Sequence, residues 1–286
     1  MVQKTIFKLI VSIWKVVAIA YLTACVFLYF WQTHFIFFPS SAIELTPKAF
    51  NRQYQDVWIP ITTVSGKIEK MHGWWIPAAT PNAKVLLYLH GNGVNIGANA
   101  YHADRFHRMG FAVLIIDYRG YGLSEGGFPT EKSVYQDAAS AWDYLVTQRH
   151  IQPSNIFIYG HSLGGAIAID LAVQQPQAAG IIIESSFTST QNVASLRGQF
   201  RLFPINLILN QRFDSINKVK NLQMPALFIH GTDDIIVPVN MSKQLYAAAP
   251  EPKQLIIVPN AGHNDVAEVA NLQYFQVVKE FVRLAK

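Results

Sequence analysis

The sequence predicts an α/β fold: a mostly parallel central sheet with helices on both faces, preceded by one N-terminal membrane segment. Three observations carry this reading. Short apolar runs alternate with stretches of helical period from Lys84 to the end of the chain. One of those runs, Ile156 to Tyr159, enters a Gly160-His161-Ser162-Leu163-Gly164 turn, after which Ala166, Ala168 and Leu171 continue at helical spacing. Finally, from Val16 to Trp31 every residue but Thr23 is apolar or aromatic. Strand–helix alternation implies right-handed crossovers, and it puts the ligand crevice beyond the carboxyl ends of the strands.

With Leu9 to Trp14 ahead of Lys15, the apolar stretch approaches the ~20 residues that span a bilayer. Lys4, Lys8 and Lys15 lie on its amino-terminal side, so the positive-inside tendency leaves the amino terminus in the cytoplasm. Everything after Trp31 is then carried across, into the periplasm if the source is bacterial. Leu22-Thr23-Ala24-Cys25 resembles a lipoprotein cleavage box, and the alternative is a lipoprotein acylated at Cys25. Val26 to Trp31 stays apolar where a polar tether would begin, which favours an uncleaved anchor. Residues 1–37 are assigned to this segment and 38–286 to one globular domain.

A chain of 286 residues with 51% hydrophobic and 14% charged residues buries one large core. The net charge of +5 does not indicate nucleic acid, because Lys4, Lys8 and Lys15 precede the first acid, Glu44, and account for three of the five charges. Cys25 is the single cysteine, which excludes an internal disulfide framework and a cysteine-rich metal site.

Gln55 to Thr63 and Lys67 to Pro77, joined by Ser65-Gly66, read as a hairpin. Lys84 to Leu89 is a strand buried on both faces, ended by His90-Gly91-Asn92-Gly93. Glycines there free backbone amides to point into a crevice, and Asn92 or Gly93 would donate to an oxyanion. A helix over Ala98 to Arg108 and a strand over Ala112 to Asp117 follow, and the tyrosines of Tyr118 to Gly122 suit either pocket or scaffold. Ser133 to His150 is helical in period, and Gly180 to Glu184 is the strand after the serine turn. Thr188 to Leu222 breaks the alternation as a short, apolar cap insertion (188–222). Ala226 to His230 and Gln254 to Val258 resume the strands, and Asn264 to Leu284 reads as one closing amphipathic helix.

Ser162 sits where the strained backbone of a strand-to-helix turn demands small neighbours, hence Gly160 and Gly164, and it would stand exposed as a nucleophile. Leu163 follows it, so the Leu163 amide is the natural second oxyanion donor. An acid, Asp233 or Asp234, and then His263 each follow a strand, completing a Ser…Asp…His order.

These motifs together resemble the α/β-hydrolases, and more narrowly the small membrane-anchored serine hydrolases of the Bem46-like type. The matching residues are Phe37-Phe38-Pro39, Gly73-Trp74, His90-Gly91-Asn92, Asp117 to Gly122, Gly160 to Gly165, His230 to Asp234 and Gly262-His263. In that family the acid stands three residues after the glycine of the His-Gly pair, which selects Asp234. The resemblance implies hydrolysis of a small-molecule or lipid-like ester or thioester through an acyl-enzyme on Ser162, with no metal or organic cofactor. One rival is a serine peptidase of the prolyl-oligopeptidase lineage, although no propeller precedes the domain. A noncatalytic membrane-bound binding protein on the same fold is the other.

Overall fold

The computed structural model describes residues 2–285. Eight strands form the central sheet: β1 (Gln55–Thr62), β2 (Ile68–Ile76), β3 (Val85–Leu89), β4 (Ala112–Ile116), β5 (Ile156–His161), β6 (Gly180–Glu184), β7 (Ala226–Gly231) and β8 (Lys253–Val258). Their spatial order is β8-β7-β6-β5-β3-β4-β2-β1. Only β2 runs against its neighbours, pairing antiparallel with both β1 and β4. All other pairs are parallel.

The strands carry apolar side chains at successive positions because both faces of the sheet are covered. In β3, Val85, Leu87 and Leu89 enter one core and Leu86 and Tyr88 the other. Helices α3 (Glu131–Asp143), α4 (Leu163–Gln174) and α5 (Val239–Ala248) bury Val134, Ala168 and Leu245 in the first core. Helices α2 (Ala100–Arg108) and α6 (Leu272–Leu284) bury Phe106 and Phe281 in the second. Each such Leu, Ile or Phe removed from water contributes ~1.5–3 kcal/mol.

Two helical boundaries depart from the periodicity. The segment expected as one helix from Ser133 to His150 begins earlier, where Thr130 Oγ1 accepts from the Ser133 N–H and Ser133 Oγ accepts from the Thr130 N–H. It then widens into a π-helical turn over Tyr144–Gln148. The expected closing helix from Asn264 is two pieces, Val266–Ala270 and α6, separated by Asn271 in the left-handed region (φ 46°). The apolar pattern runs through the break, so the period alone does not mark it.

Helix α1 (Val2–Trp31) is unbroken over 30 residues and has no buried residue. At 1.5 Å per residue it is about 45 Å long, more than the hydrocarbon thickness of a bilayer. Its carboxyl end is tied to the segment between β6 and β7. There, Gln32 Nε2 donates to the Ile208 carbonyl (3.2 Å), while Gln32 Oε1 accepts from the N–H groups of Asn210 (2.8 Å) and Gln211 (3.0 Å). Gln32 is itself buried.

Replacing Gln32 with alanine therefore strips two backbone donors of their acceptor. At ~1–3 kcal/mol for a buried unsatisfied group, Gln32→Ala should speed hydrogen exchange at Asn210 and Gln211 by about ten- to a hundredfold, with α4 unchanged. Unchanged exchange at both amides would show that Gln32 does not hold this segment.

Candidate active site

Ser162 occupies the single residue between β5 and α4, with φ 55° and ψ −117°. Such a conformation costs a residue with a side chain on the order of 1–3 kcal/mol and needs neighbours that over-determine it. A Cβ at Gly160 would collide with the Gly164 carbonyl, and one at Gly164 with the Leu89 carbonyl of β3. The turn is pinned from below by the Ser162 N–H on the Glu184 carbonyl (2.9 Å) and by Ser186 Oγ donating to the Ser162 carbonyl (2.8 Å). Strain and support together aim Ser162 Oγ out of the sheet edge.

His263 and Asp234 reach that oxygen from the loops after β8 and β7. Ser162 Oγ lies 2.9 Å from His263 Nε2, and His263 Nδ1 lies 2.7 Å from Asp234 Oδ2. Since a carboxylate only accepts, Nδ1 carries the proton and Nε2 is left to accept from the serine hydroxyl. Asp234 is buried, and its other oxygen accepts from the N–H groups of Ile236 (2.9 Å) and Val237 (2.8 Å). Burial alone would raise the Asp234 carboxyl. The hydrogen bonds from His230, His263 and Val237 outweigh it and hold the group well below the usual carboxylate range. Asp233, by contrast, is exposed and takes a bond from Thr232 Oγ1. Glu184 is bonded to the Tyr274 hydroxyl and Asp265 to the Gly262 N–H, so neither stands at His263.

Asn92 and Leu163 border the same cavity as Ser162, and no hydrogen-bond acceptor for their amides occurs among the described residues. Gly91 brings this loop close: a Cβ there would lie 3.6 Å from Ser162 Cβ. The Asn92 carbonyl is turned away by the Tyr121 hydroxyl (2.7 Å) and the Phe38 N–H (2.9 Å), and Asn92 Nδ2 donates to the Ile36 carbonyl (2.9 Å). Tyr118 donates likewise to the His90 carbonyl (3.0 Å). Both tyrosines are fully buried and serve the loop rather than the pocket.

Above these groups is a cavity of about 620 Å³ whose wall includes Leu28, Phe35, Phe187, Phe200, Ile205 and Ile208. It also contains Ser162, His263, Asn92 and Leu163. His102 is at its edge, and burial pushes that imidazole down to about 4, so it is neutral at neutral pH.

A family model described as serine aminopeptidase, S33, matches residues 80–211, and one described as PhoPQ-activated pathogenicity-related protein matches residues 205–285. Alpha/beta hydrolase domain-containing protein 17B of Homo sapiens is 36% identical over 207 residues, covering 71% of this chain and 68% of that protein. The chain belongs to the α/β-hydrolase superfamily. An uncharacterized protein of Mycobacterium tuberculosis matches this hydrolase at 35% identity over 254 residues, 87% of the chain and 88% of the relative. Among solved structures, the Pyrococcus furiosus esterase Pf2001 superposes with a TM-score of 0.69 at 21% identity, covering 86% of this chain and 98% of that one. A Vibrio vulnificus alpha-beta hydrolase gives 0.64 at 25% identity, covering 80% and 82%.

Two histidines inside the motifs have roles that the sequence does not announce. His230 Nε2 lies 3.0 Å from Asp234 Oδ2 and 2.8 Å from the Val237 carbonyl, so it donates to the loop that holds the acid. His161 Nε2 donates to the His263 carbonyl (2.9 Å) and steadies the histidine loop. Both lie inside the glycine-containing motifs, which is the signal that could have drawn notice to them.

The depressed Asp234 titration fixes a sign. A carboxyl whose folded pKa lies below the unfolded value of ~3.9 adds stability that is fully present above that value and is lost as pH falls through the folded pKa. The melting-temperature gap between the wild-type chain and Asp234→Asn should therefore be widest near neutrality and shrink below about pH 4. A gap that grows on acidification would contradict this electrostatic assignment.

Proposed function

We propose that this hydrolase cleaves carboxylic ester or thioester bonds through an acyl-enzyme on Ser162. The supporting observation is the unbroken chain of hydrogen bonds from Ser162 Oγ through His263 to Asp234, set at the base of an apolar cavity. In the first half-reaction Ser162 Oγ forms a bond to the acyl carbon as its proton passes to His263 Nε2. The carbonyl oxygen, now negative, is held by the amides of Asn92 and Leu163, and the amino-terminal end of α4 adds its positive dipole end there. His263 then returns the proton to the departing oxygen or sulfur. In the second half, water attacks the acyl carbon as its proton passes to His263 Nε2, and the bond to Ser162 Oγ then breaks as His263 returns the proton to Oγ, freeing the acid. Asp234 keeps the proton on Nδ1 throughout and balances the imidazolium.

An apolar wall of Leu28, Phe35, Phe200, Ile205 and Ile208 suits the acyl side of a lipid-like ester better than a peptide. The family description as a serine aminopeptidase favours the second reading, a peptidase. Against it, the described cavity wall has no Asp or Glu to hold a substrate's amino terminus. Turnover of acyl esters against aminoacyl amides separates the two. In the same reading α1 is an uncleaved single-pass anchor, with Lys4, Lys8 and Lys15 on the cytoplasmic side and the hydrolase domain on the other, periplasmic in a bacterium. Cys25 lies inside the continuous helix, and Leu28 and Gln32, one and two turns further on, meet the cavity and the cap, which favours that arrangement over a lipoprotein acylated at Cys25.

Ser162→Ala should lose ~10³- to 10⁶-fold in kcat on an activated acyl ester. Asp234→Asn should lose at least about a hundredfold and Asp233→Asn no more than about fivefold, with melting curves recorded for each. A Ser162→Ala chain within tenfold of wild type sinks the assignment, and a larger loss at Asp233 than at Asp234 moves the orienting acid.

A further inference from the structure

The stretch from Gly198 to Gln211, between β6 and β7, does more than roof the cavity. From Ile208 back to Leu202 it runs along α1 with contacts that descend the helix, and Phe200 then returns to meet Phe35 just past the helix end (ring centroids 6.5 Å). Gln32 binds the backbone of Ile208, Asn210 and Gln211 at the top. Lower down, the Tyr21 hydroxyl donates to the Leu202 carbonyl (2.9 Å) and the Tyr21 ring stacks on Phe203 with centroids 5.7 Å apart. The eleven residues from Tyr21 to Gln32 correspond to about 16 Å along the helix axis.

The outward side chains of this segment are unusual for a soluble surface. Leu202 is 80% exposed and Leu207 81% exposed, with Leu196 exposed beside them. Neighbouring α1 presents Phe27 and Phe30 to the outside as well. The patch is thus continuous with the apolar surface of the helix. Arg197 and Arg201 flank it, and guanidinium groups on long stems reach back toward anionic headgroups while their chain stays among apolar groups.

Depth follows from the helix. With Lys8 at one boundary of the hydrocarbon and the Lys15 stem snorkelling back toward that same cytoplasmic face, ~20 residues bring the other boundary to the level of Leu28. Tyr21, and with it Leu202, then lies about 10 Å inside that boundary. In-plane amphipathic elements settle at ~5–10 Å.

We propose that the cap tip from Arg201 to Leu207 is embedded in the same membrane leaflet that receives the carboxyl end of α1, making Leu202 and Leu207 lipid contacts. The occupant of the patch is a lipid bilayer, because the patch joins a helix long and apolar enough to cross one and is bonded to it at two levels. The proposal rests on reading α1 as a membrane segment, not on the hydrolytic mechanism.

Depth-dependent quenching tests it on the full chain. In a Cys25→Ser background, Leu202→Cys, Leu207→Cys, Ile19→Cys on α1 and Val64→Cys at the tip of the β1–β2 turn are each labelled with an environment-sensitive fluorophore. The proteins are reconstituted in phosphatidylcholine–phosphatidylglycerol vesicles with or without nitroxide-bearing acyl chains. Labels at Leu202 and Leu207 should lose at least about half their emission to the lipid nitroxide, as at Ile19, while Val64 keeps its emission and yields to aqueous iodide. If Leu202 and Leu207 behave like Val64 while Ile19 is quenched by lipid, the embedded cap is wrong and the anchor stands. If Ile19 is also quenched only by iodide, the anchor reading has failed and the proposal with it. Shielding of Leu202 and Leu207 from both quenchers would place a protein on the patch and would equally overturn it.

Discussion

The site depends on one crowded crossing, where β5 turns into α4 within a single residue. Ser162 holds a backbone conformation that side-chain-bearing residues avoid, and it can do so only because Gly160 and Gly164 leave room for the Gly164 and Leu89 carbonyls. Two things follow from the same contact. The serine stands at the sheet edge, and α4 begins at the very next residue, so the positive end of the helix dipole lies at the site. Parallel pairing of β5, β6, β7 and β8 then puts the loops bearing Asp234 and His263 on that same edge, although the chain separates Ser162 from His263 by about a hundred residues.

The second dependence joins the amino-terminal helix to the chemistry. Asn92 is held by three hydrogen bonds at two atoms, and two of the partners, the Ile36 carbonyl and the Phe38 N–H, belong to the short passage that follows α1. Leu28, Gln32 and Phe35 border the same cavity. The helix therefore supplies part of the wall and part of the support for a candidate oxyanion donor, whereas a simple tether would touch neither. Cap and helix share the cavity through Gln32, whose side chain satisfies backbone groups of the Ile208–Gln211 stretch that would otherwise be left without partners.

Much of this was legible in the residues. Apolar runs without alternation marked strands covered on both faces, and β3 to β8 lie where those runs fall. The glycine spacing around Ser162 announced a tight strand-to-helix turn. The residues alone left Asp233 and Asp234 open and the family resemblance pointed to Asp234, whose carboxylate is the one bonded to His263. What escaped notice is non-local. Gln32 and Tyr121 gain their roles from partners 178 and 29 residues away, respectively, and a polar residue at the end of an apolar helix reads equally as an interfacial side chain. The pairing of Phe38-Pro39 with Gly93-Val94 is likewise a contact between two short pieces that have no period to display. Asn271 breaks the last helix by adopting positive φ, which its asparagine tolerates but does not require.

The central claim is a covalent bond between Ser162 and the acyl group. It is tested most directly by mixing the full chain in detergent with an activated acyl ester, quenching in acid on the millisecond scale and measuring the mass of the intact protein and of its peptides. The account predicts a transient adduct of one acyl group, carried by the peptide that contains Ser162 and lost as turnover ends. Turnover with no adduct at any quench time, or an adduct on a different residue, would contradict it.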